Sequence, residues 1–249
     1  MSLQKTEAVV LKTQRLGETS KIITLFSRNY GKMKVVAKGA RGPKSRFFGT
    51  LEPLNHIAIV YYFKETRDLQ LLSQADIIHP FQGIRGDLTK IAIGTIFCEI
   101  INRTQLEQPN YSLFKALVDA LIGIDGARQD YLNNYYWFLL KFLHISGFQP
   151  HFEICEICKT SELEGQFRFS IINGNYGCRK CNMPEPSAVS VSPRALWFLR
   201  KFQRMQVQDL VKLPGTAPKD CETLLISFLQ YHVEETKYLK SLKFLKEIK

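Results

Sequence analysis

Two groups of residues in this 249-residue chain have types and spacing that could do chemistry. The first is Cys155-x2-Cys158 and Cys178-x2-Cys181, two pairs separated by 19 residues. Each pair can lend two thiolates to one tetrahedral ion, and this is the two-knuckle spacing of a structural Zn²⁺ site. Four thiolates leave no coordination position for a reactive water, so such a site is closed and holds structure rather than catalysing. Gly174 and Gly177 supply the tight turns that knuckles need, and Arg168 to Ile172 alternates as a strand would between the pairs. His151, four residues before Cys155, is an alternative ligand, but the four cysteines form a complete set without it.

The second group is cationic. Arg28, Lys32, Lys34, Lys38, Arg41, Lys44 and Arg46 fall in one run that contains no acid and leads directly into Phe47 and Phe48. Gly39, Gly42 and Pro43 exclude a regular helix or strand at its centre, so the charges are expected on a strand and then on a flexible loop. Such a loop can follow a phosphate backbone and offer aromatic rings to unstacked bases. A solvated basic face would have the same composition, and one of the two phenylalanines could equally anchor the loop.

Composition narrows the choice. The net charge is +11 with a pI near 9.4, which favours a polyanionic partner over a small acidic substrate. The excess is concentrated in residues 1–80, where basic residues outnumber acids about two to one, whereas residues 81–150 balance. No signal-peptide pattern opens the chain, and no apolar run is long enough to span a bilayer, so a soluble protein is expected. Cysteines in metal-like spacing fit a reducing compartment better than a disulfide scaffold does. The histidines at 56, 79, 144, 151 and 232 are scattered, His144 sitting as a core residue would in an apolar helix. No paired carboxylates, HExxH or GxSxG occur, and the Walker-like Gly42-Pro43-Lys44-Ser45 has proline where the motif needs glycine. Nothing in the sequence calls for an active site.

The positioning elements change character along the chain. Residues 1–80 read as five strands, Thr6–Lys12, Ile22–Ser27, Lys32–Lys38, His56–Phe63 and Leu69–Ile78, with Arg28-Asn29-Tyr30-Gly31 as a hairpin loop. Five short strands suit a small barrel, either an OB-fold or an SH3-like one. From residue 81 the pattern is helical: Asp87–Arg103, Tyr111–Ile124, Tyr131–Ile145, a helix opened by Ser192-Pro193, and Pro218–Glu234. The lysines at 237, 240, 243, 246 and 249 wind around any helix axis, so the tail is expected to be mostly solvated or frayed. Cys98 and Cys221 fall on apolar helix faces and read as buried thiols. The whole is an α+β chain: a strand domain at 1–80, then a helical domain at 81–249 with the cysteine module inserted at 151–182.

The opening TEAVVLKTQRLGETSKIITLFSRNYGKMKVVAKGARGPKSRFFGTLEPLN, with its GET-x-KI turn and AKGAR-x-PKSR loop, resembles the RecO family of bacterial recombination mediators. GIRGDLTKIAIGTIFCEII is similar to the start of that family's helical domain, and the two cysteine pairs fall where its members often carry a zinc module. The resemblance implies an N-terminal OB-fold barrel and a cytoplasmic, nucleoid-associated protein that is not an enzyme. It implies binding to single- and double-stranded DNA without sequence specificity and annealing of complementary strands. With RecR such a protein helps load RecA onto strands coated by the single-stranded DNA-binding protein SSB, and RecF is a further candidate partner. The DNA contacts it implies are Lys21, Lys32, Lys34, Lys38, Arg41, Lys44 and Arg46, with Phe47 and Phe48 as stacking rings. The acidic, apolar-ended SSB tail would fit an apolar helix rimmed by Arg194, Arg200 and Arg204. One structural Zn²⁺ is implied at Cys155, Cys158, Cys178 and Cys181. Two other classes remain: a zinc-ribbon adaptor whose basic loop binds an acidic protein, and a nucleic-acid-modifying enzyme.

Overall fold

The computed structural model describes residues 2–248 apart from 182, 184 and 186; the end of the expected cysteine insertion at 182 and the last tail lysine, Lys249, lie outside the described residues. Runs rich in valine, isoleucine and tyrosine form β1 (Ser2–Leu16), β2 (Ser20–Ser27), β3 (Gly31–Ala37), β4 (His56–Phe63) and β5 (Leu69–His79). They close into a barrel in the order β1-β2-β3-β5-β4, antiparallel except for the β3–β5 seam. The long β1 serves two neighbours, pairing its first half with β4 and its second half with β2.

A bulge between Val10 and Lys12 makes this possible and has a chemical consequence. Ala8 and Val10 point into the barrel, where they join Ile23, Leu25, Val35 and Ile59. One extra residue inverts the alternation, so Lys12 and Gln14 are exposed instead of buried.

Gly31 closes the β2–β3 hairpin at φ 67°, and the backbone of Gln108 lies where a Cβ would project, so no other residue fits there without movement. Beyond the barrel a short helix, α1 (Gln82–Arg85), leads into α2 (Leu88–Thr104) and α3 (Tyr111–Gly126). Asp87 caps α2 by accepting from the N–H groups of Thr89 (2.8 Å) and Lys90 (3.1 Å). Gly94 of α2 lies against Leu54 and Leu121, which approach within 3.3 and 3.5 Å of the place a Cβ would occupy.

The tail departs from the expectation of a frayed end. Residues Lys240–Ile248 form a helix, α7, that packs on α2, with Leu242 and Leu245 buried. Leucines three apart drift by only about 60° per step, so over two turns Leu239, Leu242 and Leu245 still share a face. Glu99 of α2 caps the new helix, accepting from the N–H groups of Lys240 (3.1 Å) and Ser241 (2.8 Å) and from the Ser241 hydroxyl (2.6 Å). Burial alone would raise the Glu99 pKa, but these bonds, with Arg103, hold it below the usual carboxylate value.

Two compact units result: residues 1–125 with 239–249, and residues 126–238. They do not follow the change from strand to helix, because α2, most of α3 and α7 belong with the barrel. In the second unit α4 (Leu132–Ile145), α5 (Pro193–Arg204) and α6 (Lys219–His232) pack on one another, and α6 also meets a small sheet. That sheet is ordered β7-β6-β8, from β6 (Phe167–Phe169), β7 (Tyr176–Gly177) and β8 (Val189–Val191). Asn133 on α4 shows how loops are held: its amide donates to Gly215 O (3.0 Å) and accepts from Ala217 N–H (2.9 Å). His144 is not the expected core residue. It is exposed near the C-terminal end of α4, its Nδ1 2.6 Å from Gln149 Oε1. No described helix is long and apolar enough to cross a membrane.

Candidate nucleic-acid interface and metal centre

The connection from β3 to β4 is more ordered than a free arm. Successive turns are closed by N–H donors three residues ahead of their acceptors: Gly42 to Gly39, Ser45 to Gly42, Phe48 to Ser45 and Thr50 to Phe47, at 3.0–3.4 Å. The Arg41 N–H donates to Thr19 O (2.9 Å), which ties the middle of the loop to the β1–β2 turn. Ala40, Phe47 and Leu51 turn inward and complete the barrel core. Lys38, Arg41, Lys44 and Arg46 are left outside, all exposed. An apolar underside thus holds a cationic upper side in place.

The two phenylalanines take opposite roles. Phe47 is 3% exposed and offers no face to a base, while Phe48 is 79% exposed beside it. The Arg46 guanidinium lies 4.8 Å from the centre of the Phe47 ring. Arg41 donates to Gly17 O (2.6 Å) and keeps the rest of its guanidinium in solvent.

The other expected contacts differ in how far they are free. Lys34, Lys38 and Lys44 make no ion pair or side-chain hydrogen bond among the described residues. Lys21 is paired with Glu52 at 3.2 Å. Lys32 donates from Nζ to Asn102 O (2.9 Å) and from its backbone N–H to Leu106 O (3.0 Å). Asn102 lies in the last turn of α2, where carbonyls lack helical partners, so Lys32 acts as a strut that caps this helix. Burial, then the neighbouring Lys34, lowers the Lys32 pKa. Sequence reasoning passed over Lys12 and Arg15, which are exposed on β1 and make no ion pair or side-chain hydrogen bond among the described residues. They lie outside the acid-free run, and only the bulge turns Lys12 outward.

The four cysteine sulfurs lie within 4.8 Å of one another, and His151 is not among them. The Cys158 and Cys178 sulfurs are 3.7 Å apart, close to the edge of about 3.8 Å of a tetrahedron with metal–sulfur bonds of about 2.3 Å. No disulfide joins them. The backbone around the first cysteine pair turns tightly. Lys159 takes φ 59° and donates its N–H to Cys155 O (3.0 Å), and Cys178 N–H points at Cys155 Sγ (3.3 Å). Burial pushes the Cys155 thiol up, but backbone N–H groups of Cys158, Cys178 and Ile157 outweigh it and bring its pKa to about 6. Cys181 is pushed up to about 12, first by its hydrogen bond with Cys158. Four adjacent sulfurs cannot all ionise without a cation among them, so the donor set fits a metal ion. Cys98 is by contrast a buried thiol with its pKa raised to about 12 by burial alone.

The arginines of α5 are engaged inside their own unit. Arg200 donates to Phe152 O (2.6 Å), Ser161 O (2.9 Å) and Tyr176 Oη (2.9 Å), clasping both sides of the cysteine module. Arg204 is paired with Glu153, and Gln203 donates to Pro150 O (2.6 Å). Arg194 reaches Thr216 O at 3.4 Å and stands over Phe198. This helix fastens the cysteine module.

Family models described as Recombination protein O N terminal and Recombination protein O C terminal match residues 1–81 and 85–243. The chain is 29% identical to the DNA repair protein RecO of Bacillus subtilis, across 99% of this chain and 95% of that one. It is 31% identical to the DNA repair protein RecO of a Nocardioides species, across 97% and 98%. With both halves matched and nearly the full length of these relatives covered, the chain belongs to the RecO family of DNA repair proteins.

Proposed function

We propose that this protein is a non-enzymatic mediator that binds single- and double-stranded DNA irrespective of sequence and anneals complementary strands. The observation that carries this is the loop of residues 38–55, whose buried side is locked into the barrel while Lys38, Arg41, Lys44, Arg46 and Phe48 face solvent. Bringing two polyanions together needs cations that neutralise phosphates without reading bases, and this surface is built that way. The closed order β1-β2-β3-β5-β4 supports reading the strand domain, residues 1–80, as an OB-fold. Arg41, Lys44 and Phe48 are its foremost DNA residues, with Lys34, Lys38 and Arg46 beside them. Lys21 and Lys32 contribute mainly through the field they add. The four cysteines hold one Zn²⁺ that stabilises the module. RecR, SSB and RecF are proposed partners in loading RecA.

The test is anisotropy with labelled single strands across a salt titration, for wild type and for Lys38/Arg41/Lys44/Arg46→Ala. Tight, sequence-insensitive binding should lose roughly 2.8 from its salt slope in the variant, about 0.7 per phosphate contact. An unchanged slope, or no binding by wild type, would defeat this reading, and the adaptor alternative would replace it.

A further inference from the structure

The four clustered cysteines are not equally sheltered. Cys155 and Cys178 are buried, Cys181 is half-buried and Cys158 is exposed. A hollow of about 540 Å³ reaches the cluster, lined by Cys158 and Cys178 but by neither Cys155 nor Cys181. Cys178, though buried, thus forms part of the hollow's wall. Its sulfur stands 3.7 Å from that of Cys158, so a reagent in the hollow meets two sulfurs within reach of each other. The Cys155 sulfur accepts from the Cys178 N–H instead (3.3 Å).

The hollow is also lined by Arg179 and Lys180 and by Glu162 and Glu164, two charges of each sign. Such a balance neither gathers nor repels ions strongly, so a small neutral reagent enters most freely. Cysteines that respond to oxidants share two features, an exposed thiolate and a second cysteine within reach to resolve it. Cys158, as a metal-bound thiolate, would have both.

We infer that Cys158 is a site of oxidation by hydrogen peroxide with Cys178 as its resolving partner, so that oxidation ejects the metal ion from the module. The inference rests on the metal reading above. The Cys158 thiolate attacks one oxygen of the peroxide: an S–O bond forms, the O–O bond breaks and hydroxide leaves. The Cys178 thiolate then attacks the Cys158 sulfur. An S–S bond forms, the S–O bond breaks and a second hydroxide leaves. Solvent protons convert both hydroxides to water. Two electrons pass from the sulfurs to the peroxide, and the metal ion keeps its oxidation state. Left with two of its four ligands, the ion dissociates. The new disulfide joins one cysteine pair to the other rather than closing either pair on itself.

The experiment treats the metal-loaded full chain with hydrogen peroxide. Metal release is followed with a chromogenic chelator, thiol loss by titration, and disulfide connectivity by peptide mass spectrometry. One ion should leave for every two thiols lost, with Cys158 joined to Cys178. The melting temperature should fall to that of the chelator-stripped chain, and a thiol reductant with added Zn²⁺ should restore it. In a parallel sample dimedone, which traps sulfenic acids, should label Cys158 ahead of the other cysteines. A disulfide within either Cys-x2-Cys pair, first labelling at another cysteine, or retention of metal and thiols under excess peroxide would overturn the inference and leave the metal reading intact. A wild-type chain that holds no metal, even on titration with Zn²⁺, would remove both.

Discussion

The β3–β4 loop and helix α5 have similar compositions and opposite uses. Each sets basic side chains beside an apolar face. In the loop the apolar residues Ala40, Phe47 and Leu51 do the fastening, and the charges of Lys38, Lys44 and Arg46 stay in water. In α5 the charges themselves fasten, since Arg200 and Arg204 are bound to carbonyls, a phenol and a carboxylate of the same unit. A cation is available to a partner only if the fold has not already satisfied it, and composition does not reveal which case holds.

Substitutions can break this contrast or sharpen it. The largest effect is expected at the cysteine module that α5 clasps, where a metal ion is proposed. Cys155→Ala should release the ion and lower the melting temperature steeply, because binding energy at a structural site is folding energy. Elemental analysis together with calorimetry would show it, and full metal loss with an unchanged melt would contradict a structural role.

Next is the phenylalanine pair. Phe47→Ala empties part of the barrel core and should cost about 3–5 kcal/mol of stability by denaturant unfolding. Phe48→Ala should leave stability unchanged and weaken single-strand binding by about 1–3 kcal/mol, the usual worth of a stacked base. Reversed results would interchange anchor and platform.

Arg200→Ala removes three hydrogen bonds and should destabilise the second unit by about 2–3 kcal/mol. Its DNA salt slope should match that of wild type. A reduced slope would show that the α5 charges reach DNA after all, and the contrast would fail.

The smallest effect concerns pH. His56 is buried, its Nε2 3.5 Å from Glu7 Oε2, and its ring is stacked on His79 and edge-on to Phe114. Burial lowers its pKa, with the Glu7 charge opposing and His79 reinforcing the shift. Below about pH 6.5 the unfolded chain binds a proton that the folded chain resists, so stability should fall as pH drops until the folded value is passed. In a His56→Asn variant this slope in the melting temperature should flatten; an equal slope would assign it to other groups.

Local chemistry made much of this molecule legible. All five strands lie within a few residues of their expected places, because alternating β-branched and aromatic runs leave little choice of element. Helices α2 to α6 follow from apolar periodicity and caps such as Asp87 and Ser192. The cysteine cluster follows from spacing, since two residues between thiols already set their separation. Tertiary structure decided the rest. The tail became α7 because Glu99, over a hundred residues away, offers its carboxylate to an otherwise uncapped helix start. His144 came to the surface because it falls on the face of α4 opposite the buried Phe142 and Leu143 side of the last turn. Lys32, Arg200 and Arg204 found partners distant in sequence, and one bulged residue brought Lys12 into line with Lys34 across the barrel. Residue type sets what a side chain can bond to, but whether it remains free depends on register and packing between segments that only the folded chain brings together.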